Sequence, residues 1–218
     1  MRMEQARAQV VRHCNLMLER GLTKGTGGNI SVIDRQEGLM AISPSAVEYP
    51  EMRPEDVALL DLEGRQVEGN DAPSSEWEMH LLCYLRRPDI GAVVHTHSLY
   101  ATVLACLHQE LPPVHYLIGY AGKRVRCAPY HLFGSRQLAQ SAAEALGQDN
   151  ALLLANHGLL SVGSSLPLAF STAEEIEFVC QIYCHAKSMG EPRLLTDAQM
   201  EEALQRFTTY GKAVPAKK

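Results

Sequence analysis

Gly28-Asn29-Ile30-Ser31-Val32-Ile33-Asp34-Arg35-Gln36-Glu37-Gly38-Leu39-Met40-Ala41-Ile42 is the stretch on which the fold turns. Two apolar runs, 28–32 and 39–42, flank Glu37-Gly38, a pair of residues that folds a chain back on itself as a hairpin. A second pair of runs, 57–61 and 65–67, flanks Glu63-Gly64 in the same manner. Together they read as an antiparallel meander, because parallel neighbours would need a long crossover between each pair. Upstream, Met3, Ala6, Val10, Cys14 and Met17 recur at three- and four-residue spacing and predict a helix over 3–20, ended by Gly21. Downstream, helix and strand alternate. A helix over 75–87, opened by a Ser75-x-x-Glu78 capping box and stopped before Pro88, precedes a strand over 90–95. A helix near 98–107, a strand near 124–128, a helix over 135–146 and a very apolar strand over 151–155 follow, then helices over 166–189 and 197–210. Hairpins with helices on both sides predict an α/β fold: one three-layer αβα domain over residues 1–218 with a mainly antiparallel central sheet.

Composition narrows the function. The 218 residues are 46% apolar and 21% charged, enough for one substantial core. The net charge of -5, with no basic run longer than Lys217-Lys218, argues against a nucleic-acid or membrane-binding face and leaves small molecules as the expected partners. Residues 1–7 are charged and lack a signal peptide's apolar core, and no run approaches the roughly 20 apolar residues of a membrane span, so a cytoplasmic location is expected. Six cysteines are scattered with no Cys-x-x-Cys pair. That pattern disfavours a disulfide framework or a structural zinc knuckle, and Cys180 and Cys184 read as one buried helix face.

Chemistry concentrates in four segments. His95 and His97 stand two apart at the end of an apolar run, so both imidazoles face one side of a strand and can close on one metal ion. Alone, such a pair is more often a hydrogen-bonded or solvated one than a metal site. Pro73-Ser74-Ser75-Glu76 and Ala155-Asn156-His157-Gly158 each place another ligand type beside a turn. Three histidines and a carboxylate match a catalytic zinc site better than a structural one. Glu76 has a simpler reading as a helix-start carboxylate, and His80 is either a competing ligand or a core histidine. Lys24-Gly25-Thr26-Gly27-Gly28-Asn29-Ile30-Ser31 lies after a helix and before a strand, the reverse of nucleotide-binding loops, and lacks their spacing. It reads as an anion-binding concavity of backbone amides or as a tight turn. Ser43-Pro44-Ser45 and Ser74-Ser75 add hydroxyls beside free amides and favour a phosphate.

Taken together, Gly25-Thr26-Gly27-Gly28-Asn29, Pro73-Ser74-Ser75-Glu76, His95-x-His97, His115-Tyr116, Cys127-Ala128-Pro129-Tyr130, Phe133-Gly134 and His157-Gly158 resemble the class II aldolase/adducin family, most of all its bacterial fuculose-1-phosphate aldolase branch. The resemblance covers nearly the whole chain. It implies Zn2+, with Mn2+ or Co2+ as alternatives, on His95, His97 and His157, and Glu76 as a fourth ligand that substrate displaces. It implies a substrate phosphate held by Gly28, Asn29, Ser45, Ala46, Ser74 and Ser75. Tyr116, from a neighbouring subunit of a four-fold homotetramer, would relay a proton at the aldehyde oxygen, and Phe133 and Tyr210 would shape the aldehyde pocket. The implied reaction is cleavage of a ketose 1-phosphate to dihydroxyacetone phosphate and a small aldehyde. Fuculose, 5-deoxyribulose and 5-methylthioribulose 1-phosphates are the candidate substrates. The family's phosphate loop usually has glycine where this chain has Ala46, a strained substitution if the position needs a positive φ. A pentulose 5-phosphate 4-epimerase of the family resembles Asp rather than Glu at position 76, and its decarboxylase branch tends to Lys at 75. An adducin-head-like binding module would not need Glu76 and the three histidines.

Overall fold

A computed structural model describes residues 1–207; Tyr210 lies outside the described residues. Helix α1 (Glu4–Glu19) leads into the meander β1 (Asn29–Asp34), β2 (Leu39–Ile42), β3 (Ala58–Asp61) and β4 (Gln66–Glu68). Both expected hairpins form. Asp34 Oδ1 accepts the amides of Gln36 and Glu37 in the first, and Asp61 Oδ1 accepts those of Glu63 and Arg65 in the second. Then come α2 (Trp77–Arg86), β5 (Ala92–Thr96), α3 (Leu99–Cys106), a 3-10 turn (Tyr116–Tyr120), β6 (Cys127–Ala128), α4 (Arg136–Leu146), β7 (Ala151–Leu154), β8 (Gly158–Gly163), α5 (Leu166–Met189) and α6 (Asp197–Phe207).

The eight strands form one sheet in the order β4-β3-β2-β1-β5-β8-β7-β6, antiparallel throughout except for the β6–β7 pair. Alternate side chains serve opposite layers, as the two-residue period of a strand requires. Ile30, Ala41, Leu59, Val94 and Leu153 pack with residues of α1, α3 and α5, whereas Met40, Leu60, Val93, Leu152 and Leu160 pack with residues of α2 and α4. The fold is therefore the expected αβα sandwich.

Three expectations are corrected. The central strand β8 was not anticipated, because Gly158 and Gly163 bracket a short run, Leu159 to Val162, that resembles a connection. The strand expected near 124–128 reduces to two residues plus an isolated bridge between Leu111 and Val125. The capping box does not form: α2 starts at Trp77, and Glu76 before it makes no side-chain cap. Its cause is tertiary. The Ser74 amide donates to Ser43 O (3.0 Å) and the Ser45 amide to Ala72 O (2.9 Å), which holds 72–74 extended and delays the helix. Glu78 turns instead toward Arg136.

Candidate active site

One end of β5 and its two neighbours converge on a cavity of about 480 Å³, lined among others by Gly28, Asn29, Ser45, Ala46, Ser74, Ser75, Glu76, His97, Phe133 and His157. Asn29 opens β1 and is paired with His95 on β5. His157 sits in the tight turn between β7 and β8, behind Asn156, whose φ of 53° is the left-handed conformation asparagine tolerates best among larger residues. Gly158 follows because a Cβ there would strike the Thr96 carbonyl. Gly28 has φ 73° and a Cβ on it would lie 2.6 Å from His95 O, so only glycine lets this loop lie against the strand that carries His95. The buried Tyr49 hydroxyl, 2.8 Å from both Gly27 O and Gly28 O, holds the same loop from below. Nothing in the sequence pattern marks Tyr49 for this task.

The four expected ligand residues meet. Glu76, His95, His97 and His157 each offer one atom within 4.8 Å of all the others. His95 Nε2 is 3.0 Å from His97 Nε2 and 3.2 Å from Glu76 Oε2, and His157 Nε2 is 3.4 Å from Glu76 Oε1. Four donors around a tetrahedral ion with bonds of about 2.05 Å are about 3.3 Å apart, so these spacings suit a divalent cation. His95 Nδ1 is 2.9 Å from the Leu159 carbonyl and donates to it, which leaves Nε2 as the lone-pair atom. Glu76 Oε1 is buried and has no hydrogen-bond donor, an orphan of the kind a cation satisfies.

Electrostatics agree. Burial works against a charge on Glu76, but His95, then His157 and the Asn29 amide outweigh it and hold the carboxyl well below its ordinary range. Burial also opposes a charge on His95, yet Glu76 outweighs burial and raises its pKa. Burial and the neighbouring imidazoles push His97 down to about 3; burial and His95 push His157 down to about 4. Neutral imidazoles, favoured on His97 and His157, and an ionised carboxylate, favoured on Glu76, are the forms that ligate metal. Metal identity is left open by this donor set.

Beside the cluster, the bonds that delay α2 draw Ser45 and Ala46 against Ser74 and Ser75, so hydroxyls and loop amides line one wall. Ala46 has φ 59°, so the position does adopt the conformation glycine favours. His80 is fully buried and bonds Asn29 and Ser31 instead of joining the cluster. Phe133 is 64% exposed at the cavity mouth. Tyr116 does not line this cavity; it is 51% exposed and borders a separate hollow with Leu117, Tyr120 and Phe207.

Residues 8–184 match the family described as Class II Aldolase and Adducin N-terminal domain, and the chain belongs to that family. Among its members the chain stands with the aldolases. It is 51% identical to the 5-deoxy-D-ribulose 1-phosphate aldolase of Bacillus thuringiensis serovar kurstaki, over 97% of this chain and 100% of that one. It is 37% identical to the L-fuculose phosphate aldolase of Escherichia coli K12, over 93% and 94%. A solved L-fuculose 1-phosphate aldolase superposes with a TM-score of 0.93 at 46% identity, covering 95% of this chain and 98% of the other.

Proposed function

We propose that this chain cleaves the C3–C4 bond of a ketose 1-phosphate to give dihydroxyacetone phosphate and a small aldehyde. The observation that carries the reading is the adjacency, in one cavity, of a buried carboxylate with one unbonded oxygen, three converging imidazoles and a wall of hydroxyls and amides. His95, His97 and His157 would hold a divalent cation, zinc or alternatively manganese or cobalt, with Glu76 as the ligand that yields to substrate. Such a cation supplies stabilisation of negative charge on substrate oxygens. Ser45, Ser74 and Ser75, with Gly28, Asn29 and Ala46, bind the phosphate and so fix the three-carbon half that every candidate substrate shares.

Tyr116 of a neighbouring subunit relays the proton of the C4 hydroxyl to solvent. The C3–C4 bond then breaks, the C4–O bond becomes a carbonyl, and the electron pair left on C3 takes a proton from Glu76, which would pick one up from solvent once substrate displaces it from the cation and its pKa rises. The exposure of Tyr116 outside its own chain's cavity supports this shared arrangement and a homotetramer with sites between subunits. Phe133 and, by the family resemblance alone, Tyr210 would shape the aldehyde pocket. The apolar Phe133 in the cavity lining disfavours the hydroxyl-bearing aldehyde half of fuculose 1-phosphate, and the 51% identity to a 5-deoxy-D-ribulose 1-phosphate aldolase favours 5-deoxyribulose 1-phosphate over the methylthioribulose analogue. We place the enzyme in the cytoplasm; no helix of the described residues is long and apolar enough to cross a membrane.

The test is a cleavage assay over the three ketose 1-phosphates with dihydroxyacetone phosphate as the common readout. Glu76→Gln should fold and slow proton exchange at C3 of dihydroxyacetone phosphate by about 10²-fold or more. His157→Ala should lose bound metal and turnover together. Wild-type exchange in Glu76→Gln, or full metal content in His157→Ala, would overturn these assignments.

A further inference from the structure

Five side chains form one continuous hydrogen-bonded chain ending on Glu76. Glu76, His80 and Tyr84 recur every four residues, so they share one stripe of α2 and the residue leading into it. Asn29 and Ser31 are two apart on β1 and share one face of the sheet. The two rows interleave. Tyr84 Oη lies 2.7 Å from Ser31 Oγ, Ser31 Oγ lies 2.8 Å from His80 Nδ1, His80 Nε2 lies 2.6 Å from Asn29 Oδ1, and Asn29 Nδ2 lies 2.9 Å from Glu76 Oε2. All five residues are buried.

Hydrogen-bonding rules fix the direction of every link. An ionised carboxylate only accepts, so Asn29 must present its NH2 to Glu76 and its carbonyl oxygen to His80. That oxygen only accepts, so His80 carries its proton on Nε2. A neutral imidazole then has a bare Nδ1, which takes the Ser31 hydroxyl proton, and Ser31 in turn accepts from Tyr84. Burial and the proximity of His95 push His80 down to about 3 against the opposing pull of Glu76, which keeps the ring neutral.

We infer that His80 is a positioning residue for Glu76, acting through Asn29. Its Nε2–H locks the Asn29 amide in the one orientation that donates to Oε2, so that Oε2 is held between Asn29 and His95 while Oε1, which has no donor, is turned toward His157. This rests on the proposed role of Glu76. A plain packing role for His80 would not care which ring nitrogen bears the proton or which end of the amide faces the carboxylate.

Two variants separate the readings. Glutamine at position 80 reaches with its amide nitrogen to the place of Nε2 and can still donate to Asn29. Asparagine is shorter, keeps an acceptor near the place of Nδ1 and leaves the Asn29 oxygen unpaired. His80→Gln should keep kcat for ketose 1-phosphate cleavage within a few-fold, whereas His80→Asn should lower it about 10- to 100-fold, with a smaller change in KM. Nitrogen-15 NMR of the wild-type protein, both zinc-loaded and after metal removal, should show His80 protonated on Nε2 and bare on Nδ1 across the neutral range. A proton on Nδ1 would overturn the inference. So would equal kcat in the two variants, or losses that merely follow their melting temperatures. If the wild-type protein cleaves none of the substrates, the proposed function fails on its own, and the tautomer alone decides the role of His80.

Discussion

Ala46 holds a φ of 59°, where a Cβ costs about 1–2 kcal/mol. Glycine there removes that cost but gives the unfolded chain about 0.4–1 kcal/mol of extra freedom. Ala46→Gly should therefore stabilise the protein by about 0.5–1 kcal/mol net, read as a higher midpoint in urea unfolding. An unchanged or lower midpoint would show that the strain at this position is no larger than the freedom glycine adds to the unfolded chain. The metal-ligand candidates were legible one residue at a time because each stands beside a recognisable neighbour: His95 two from His97, Glu76 after Ser74-Ser75, His157 before a glycine. Tyr49, His80 and His108 were not. His108 Nε2 lies 2.6 Å from Asn156 Oδ1, and both residues have positive φ, so it braces the turn that presents His157. Such contacts join segments 48 residues apart, and no local pattern announces them.

Elements were legible where their period was long or their turn chemistry strong. Helix α5 matches its expected bounds because 24 residues sustain the pattern, and the meander follows from its two hairpins. Strand β8 was missed although it is as long as β1, because glycines at both its ends read as breaks and no hairpin signal marks it, yet it lies inside the sheet between β5 and β7. Its Leu160 is fully buried against the α2–α4 layer. Leu160→Ala should cost about 2–5 kcal/mol, measured by chemical denaturation. A loss under about 1 kcal/mol would mean that the layer closes over the missing side chain. The start of α2 was misread for a different reason: the extended pairing of 43–45 with 72–74 overrides local capping, and the same pairing gathers the serines of the cavity wall.

At the scale of the whole molecule, the three-layer arrangement was legible because the alternation of helices and hairpins leaves few other ways to bury both faces of a sheet. The proposed assembly is not written in any local pattern; it comes from the family resemblance, and the exposure of Tyr116 away from its own chain's cavity agrees with it. If each site takes Tyr116 from a neighbour, mixing inactive Tyr116→Phe subunits with inactive Glu76→Gln subunits should restore part of the activity, since some interfaces then carry both native groups. Verified subunit exchange with no return of activity would confine Tyr116 to its own subunit or remove it from proton transfer. The cavity has two unlike walls. One is pinned by strand pairing, the Tyr49 hydroxyl and the Gly28 approach; the other is the segment 130–133, where Tyr130, Leu132 and Phe133 are each more than half exposed. Substitutions in the second wall leave the packed core untouched. On the proposed function, one aldehyde partner would then be exchanged for another by rewriting a handful of positions in 130–133, while the residues assigned to the bond-breaking step stay as they are.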